Sequence, residues 1–164
     1  ATMIAPIGTG LRSHTMAASK ELDTVLEMIR IRSAEVRKTT DDDRLSYERI
    51  MASLPLDDDI ETERVGANGV PAEWIWAPES QEDRVILYLH GGGYLFGSVR
   101  THRVMLAHIA RAAQARVLAL DYRLAPETKF PGASDDCYAA TKWIADNPAE
   151  FNVDPARLAV GGIP

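Results

Sequence analysis

A single cysteine, Cys137, among 164 residues excludes an internal disulfide. No apolar run approaches the ~18 residues that a transmembrane helix needs. The amino-terminal Ala1-Thr-Met-Ile-Ala-Pro-Ile-Gly8 lacks the charged leader and long apolar core of a secretory signal. Basic residues number 18 against 24 acidic ones, for a net charge of -6, and they form no cluster. Nucleic acid and anionic membrane surfaces are therefore poor partners, and a cytoplasmic protein is the default expectation. Cys137 falls in a predicted helix beside Asp136 with no basic neighbour to favour its thiolate, so it reads as a packing residue and not a nucleophile. What is present, 46% hydrophobic and 26% charged residues, is the balance of a globular domain with a real core.

The most informative stretch is Val85-Ile-Leu-Tyr-Leu-His90-Gly91-Gly92-Gly93-Tyr94. Five consecutive apolar or aromatic residues are short enough for a strand and too uniform for a half-exposed one, which predicts a central strand covered on both faces. The glycines open its carboxyl end, where ligands bind in an open α/β sheet. Three readings of the glycine run compete: a tight turn, a phosphate cradle, and an HGGG-type loop whose amides receive the oxyanion of an ester's tetrahedral intermediate. The Lys-Ser/Thr ending and the dinucleotide spacing of phosphate cradles are both missing.

The context favours the third. After the glycines come Gly97-Ser98, Thr101-His102-Arg103, Asp121-Tyr122-Arg123-Leu124-Ala125-Pro126-Glu127, Phe130-Pro131, Asp135-Asp136 and Leu158-Ala-Val-Gly161-Gly162. In this order they resemble the hormone-sensitive-lipase family of bacterial esterases, over roughly residues 60 to 162. The resemblance implies the amino-terminal part of an α/β-hydrolase: a mostly parallel sheet with an antiparallel opening pair, preceded by a helical cap segment. It also implies hydrolysis of carboxylic esters with short to medium acyl chains by a serine nucleophile, without metal or organic cofactor.

The family pattern continues after Gly-Gly with Asp-Ser-Ala-Gly, whereas this chain reads Ile163-Pro164. Proline has no oxygen to attack with and fixes φ near -65°, so nucleophile, acid and base are absent and the chain as it stands is expected to be inactive. The resemblance thus suggests a truncated chain. If the gene reads GAT TCC G for Asp-Ser-Ala, loss of its first base gives ATT CCG, which encodes Ile-Pro. A catalytically silent ligand-binding protein and a structural fragment that pairs with a complementary carboxyl-terminal piece are the alternatives. Homo-oligomerisation is a further expectation, because a buried strand at 158–160 needs a neighbour.

Two segments are expected, 1–54 and 55–164. Residues 1 to about 19 lack periodicity and read as irregular or mobile. Ser19-Lys-Glu-Leu22 predicts a helix start, with Leu22, Val25, Leu26 and Ile29 on one face, running to about Lys38. A second helix is expected over 44–53 with Asp41, Asp42 and Asp43 at its positive end. These helices read either as a cap over the site or as an extension packed on the sheet. Strands are expected at 60–65 and 70–76 around an Asn68-Gly69 hairpin turn, then at 116–120 and 158–160. Helices are expected at about 101–113 and from a Ser134 cap to near Asn147. The acidic triplets at 41–43 and 57–59 read as solvated caps and loops, since nothing completes a metal site.

For the site, the resemblance implies Gly92 and Gly93 as donating amides, Gly91 as the residue that fixes the loop's path, and Tyr94 as a border of the acyl pocket. His90 is expected to hold the loop by hydrogen bonds. His102 and His108 read as capping or surface residues, Ser98 as a poor nucleophile without an elbow, and Arg123, Glu127 and Asp136 as scaffold.

Overall fold

In the computed structural model, residues 39–164 are described throughout, together with residues 19, 20, 22–24, 26, 27 and 30 before them. The expectation of irregular structure before Ser19, together with His14, Val25 and Ile29, lies outside the described residues. Two compact units are separated at Val36 and Arg37. In the first, the described residues from Lys20 to Arg30 are helical. Ser19 caps them as expected, its Oγ accepting from Leu22 N at 3.2 Å.

The second unit opens with α1 (Thr40–Met51), capped by Thr39, whose side chain accepts from Asp42 N. Asp41, Asp42 and Asp43 occupy its first turn, where their charge suits the positive end of the helix. A five-stranded sheet follows: β1 (Glu61–Ala67), β2 (Val70–Trp76), β3 (Gln81–Leu89), β4 (Ala115–Leu120) and β5 (Leu158–Gly162), in the order β1-β2-β4-β3-β5. β1 and β2 form the expected antiparallel hairpin, with Asn68 at φ 52 and Gly69 at φ 86 in its turn. β2 pairs antiparallel with β4, and β4, β3 and β5 run parallel. The sheet is therefore mixed.

Side chains alternate across a strand, so β3 and β4 each supply both faces. Val85, Leu87, Leu118 and Leu120 pack on one face with Ala140 and Ile144 of α3 (Gly132–Asp146). Tyr88, Val117 and Ala119 pack on the other with Leu106, Ala107 and Ala110 of α2 (Val99–Ala113). Full burial of a leucine such as Leu118 is worth about 1.5–3 kcal/mol. The two-sided covering predicted for the strand at 85–89 is therefore present. α3 begins at Gly132 after Pro131, with no side-chain cap. Ser134 lies inside its first turn, which corrects the expected capping role. The consequence for the site is that the carboxyl ends of β3, β4 and β5 open on the same side of the sheet.

Candidate active site

β3 ends at Leu89, and the chain then turns through Gly92 at φ 128, Gly93 at φ 59 and Tyr94 at φ 61. Gly92 is required sterically: a Cβ there would lie 1.9 Å from Phe96 O. Its carbonyl accepts from Leu95 N at 3.0 Å and Phe96 N at 3.2 Å, which ties the loop into a closed turn. Gly91 is required by close approach, since a Cβ would meet Pro164 O at 2.6 Å and Ile163 Cγ1 at 2.8 Å. Among the described residues, none of the Gly91, Gly92 and Gly93 amides donates a hydrogen bond. A backbone donor left without a partner beside a cavity is available to a ligand.

The cavity is about 460 Å³ and is lined by Gly91, Gly93, Tyr94, Tyr122, Cys137 and Pro164 among others. Gly92 does not line it. Tyr94 borders it and also a smaller recess of about 200 Å³ with Phe130 and Ala133. Gly91 and Gly93 thus face a cleft, and Gly91 adjoins the final residues of the chain.

The loop is held from several directions. The His90 ring is buried, its Nδ1 donating to Gly91 O at 2.9 Å. It stacks on Tyr122, with ring centroids 4.2 Å apart and planes 10° from parallel. Tyr122 donates its hydroxyl to His90 O at 2.5 Å. Burial lowers the His90 pKa and pushes the Tyr122 phenol up to about 12, so both rings stay neutral near pH 7.

On one side of Tyr122, Asp121 Oδ1 accepts from Val99 N at 2.6 Å and so fixes the start of α2. On the other, Arg123 grips Asp136 through Nη2 at 2.6 Å and Nε at 2.8 Å, and its amide donates to the same carboxylate at 3.0 Å. The Arg123 hydrogen bonds hold the Asp136 carboxyl below the usual range. Asp136 and Arg123 are scaffold, as expected.

Ser98 is the N-cap of α2, in a reciprocal capping box with Thr101. Its hydroxyl donates to Glu48, so it is committed structurally. His108 is exposed, but His102 is buried, with Nδ1 3.1 Å from Ser98 O. It is an interior residue of the first turn, not a surface one. The Cys137 thiol is pushed up by burial and by Asp136, opposite to what a nucleophile needs. No group of residues able to hold a metal ion occurs among the described residues, and no described helix is long and apolar enough to cross a membrane.

Sequence reasoning missed Arg44 of α1. Its guanidinium donates to Leu95 O at 2.6 Å and to Ala125 O, and meets Glu127 at 2.6 and 3.0 Å. The Arg44 hydrogen bond holds the Glu127 carboxyl down to about 2. No local signal marks such a contact, because the partners lie 51 to 83 residues away.

A glycine loop at the carboxyl end of a central strand, with a parallel neighbour ending beside it, is the arrangement of an α/β-hydrolase. The family model described as alpha/beta hydrolase fold matches residues 86–163. A carboxylesterase of Mycobacterium tuberculosis is 41% identical over 107 residues, 63% of this chain and 34% of that protein. An acetyl-hydrolase of Streptomyces hygroscopicus is 34% identical over 156 residues, 88% of this chain and 47% of that protein. A crystal structure of an esterase from the bacterial hormone-sensitive lipase family superposes with a TM-score of 0.82 at 62% identity, covering 90% of this chain and 48% of that one. An esterase/lipase from an uncultured bacterium gives 0.78 at 40% identity, covering 88% and 48%. The chain carries an α/β-hydrolase fold over the matched residues and is similar to esterases of the hormone-sensitive-lipase family. It spans between a third and a half of the length of these relatives.

Proposed function

We propose that this fold serves hydrolysis of carboxylic esters with short to medium acyl chains, with the amides of the Gly91–Gly93 turn receiving the oxyanion and Tyr94 bordering the acyl group. The observation that carries the reading is a turn of three unbonded amides at the end of β3, of which the Gly91 and Gly93 residues line a cavity. As the ester carbonyl becomes tetrahedral, its oxygen gains charge, and preorganised donors stabilise it without having to reorient. Loss of one such donor costs about 10²–10³ in rate. The relatives' names, carboxylesterase, acetyl-hydrolase and esterase, support the substrate class.

The nucleophile is a serine in the turn after β5, which in this chain is Ile163-Pro164. With proline and no hydroxyl at that turn, residues 1–164 by themselves are expected to turn over esters only at background, since loss of the nucleophile costs about 10⁶ in rate. A second reading is favoured by one observation: Ile163 and Pro164 lie against Gly91 and line a mainly apolar cavity suited to holding a ligand without turning it over. The test is p-nitrophenyl acetate and butyrate turnover by the chain itself and by a completed chain. The latter continues from Gly162 with Asp-Ser-Ala-Gly and the carboxyl-terminal half of the 62% identical esterase. Background rates from the first and turnover from the second are expected. Butyrate binding by the 164-residue chain, together with a completed, folded chain that turns over neither ester, would support the second reading instead.

A further inference from the structure

Among the described residues, α1 contributes no fully buried side chain to either core cluster, so it does not hold its place by insertion into the core. Its polar and aromatic contacts converge on one place. Arg44, Tyr47 and Glu48 lie at i, i+3 and i+4, on one face of the helix. They reach Leu95, Phe96 and Ser98, just after the glycine turn. Arg44 donates to Leu95 O. The Tyr47 ring meets the Phe96 ring edge-on at 5.4 Å. Glu48 accepts from Ser98.

Arg44 then bridges to a second segment through Ala125 O and both Glu127 oxygens, where Ala125 N already donates to Tyr94 O at 2.8 Å. One guanidinium thereby joins the loop and the Ala125–Glu127 segment. Its planar fork can satisfy a carboxylate and two carbonyls at once, which an ammonium cannot.

We propose that α1 is a splint for the glycine turn and that Arg44 is a positioning residue, fixing where the Gly91–Gly93 amides point without touching substrate. Its catalytic meaning rests on the hydrolase reading above; the mechanical coupling does not.

Amide exchange in the 164-residue chain measures the coupling directly. The Leu95, Phe96 and Ala125 amides report on it because their acceptors, Gly92 O and Tyr94 O, are inside the loop. Arg44→Ala is expected to speed their exchange about tenfold, the scale of losing charge-assisted hydrogen bonds, with β3 and β4 amides unchanged. Arg44→Lys should recover part of the protection. Arg157→Ala, which removes a distant exposed pair with Asp83, should leave these amides unmoved. If Arg44→Ala does not fold, Glu127→Gln should produce a few-fold change at the same three amides. No change at them, or the same acceleration in β3 and β4, would overturn the proposal.

In the completed chain, Arg44→Ala should lower kcat for p-nitrophenyl acetate about tenfold with KM unchanged. Unchanged kcat would refute the positioning role. Should the parent completed chain be inactive, the hydrolase reading fails and the exchange result alone decides whether α1 is a splint.

Discussion

The chain turns sharply on glycine at Asn68-Gly69 and again at Gly91–Gly93, and the two places are held in opposite ways. Around Gly69 nothing lies within 4 Å of a would-be Cβ, whereas at Gly92 that atom would sit 1.9 Å from Phe96 O. The hairpin turn needs only its own two residues and the strands beside it, because positive φ at Asn68 and Gly69 matches the twist of β1 and β2. The glycine loop is held by Tyr122 from the end of β4, by the His90 ring, by Arg44 from α1, and by its own carbonyl bonds. A turn that only reverses the chain can be locally sufficient. One that leaves its own amides unbonded next to a cavity has to be fixed from elsewhere, since each amide bonded inside the loop is one fewer for a ligand.

Substitution at the glycines should separate the two turns most. Gly92→Ala is expected to cost at least ~2 kcal/mol, because a backbone clash adds to the positive φ. Gly69→Ala should cost ~1 kcal/mol from φ alone. Urea unfolding of both variants measures this, and equal costs would erase the distinction.

Removal of one remote restraint comes next. Tyr122→Phe leaves the His90 carbonyl without its hydroxyl donor at a buried position, a loss of about 1–3 kcal/mol. Exchange protection at Leu95 and Phe96 should fall while the hairpin amides keep theirs. Equal loss at both would mean that Tyr122 supports the core and not the loop.

The smallest effect is with pH. Burial lowers the His90 pKa below its ordinary 6.5, so the unfolded chain binds the proton more readily than the folded one. The stability contributed by neutral His90 is complete above pH 6.5 and declines as pH falls below it. The hairpin turn, Ala67-Asn68-Gly69-Val70, carries no titratable side chain. Amide exchange between about pH 7 and pH 5 should therefore show loop protection falling relative to the hairpin, and parallel pH profiles would contradict the assignment.

The same contrast explains what the sequence made legible. The hairpin, the buried strand at 85–89, the crossover helix and the strand after it follow from short-range rules: turn chemistry, alternation and helical spacing. The glycine loop was recognisable from motif order, and so was its place at the end of a strand. Its supports were not. Tyr122 reads as one residue of a segment leaving the sheet, and nothing nearby says that its ring stacks on His90. His102 has the spacing of a helix start, yet is buried because α2 turns that end towards His90, with ring centroids 5.6 Å apart. Ser134 looked like a helix cap, but α3 begins two residues earlier at Gly132. Arg44 was invisible because an arginine in an acidic, exposed helix looks like any solvated charge until Leu95 and Glu127 are brought to it.

The central claim, proposed above, is that the unbonded amides of the Gly91–Gly93 turn receive an oxyanion. It is tested most directly by following their backbone amide resonances while the chain is titrated with butyrate, a carboxylate with the charge and size of a short acyl product. The account predicts that these three resonances, with that of Tyr94, shift furthest and saturate together, while those of Gly66 and Gly69 stay in place. Shifts no larger at the loop than at the hairpin would contradict it.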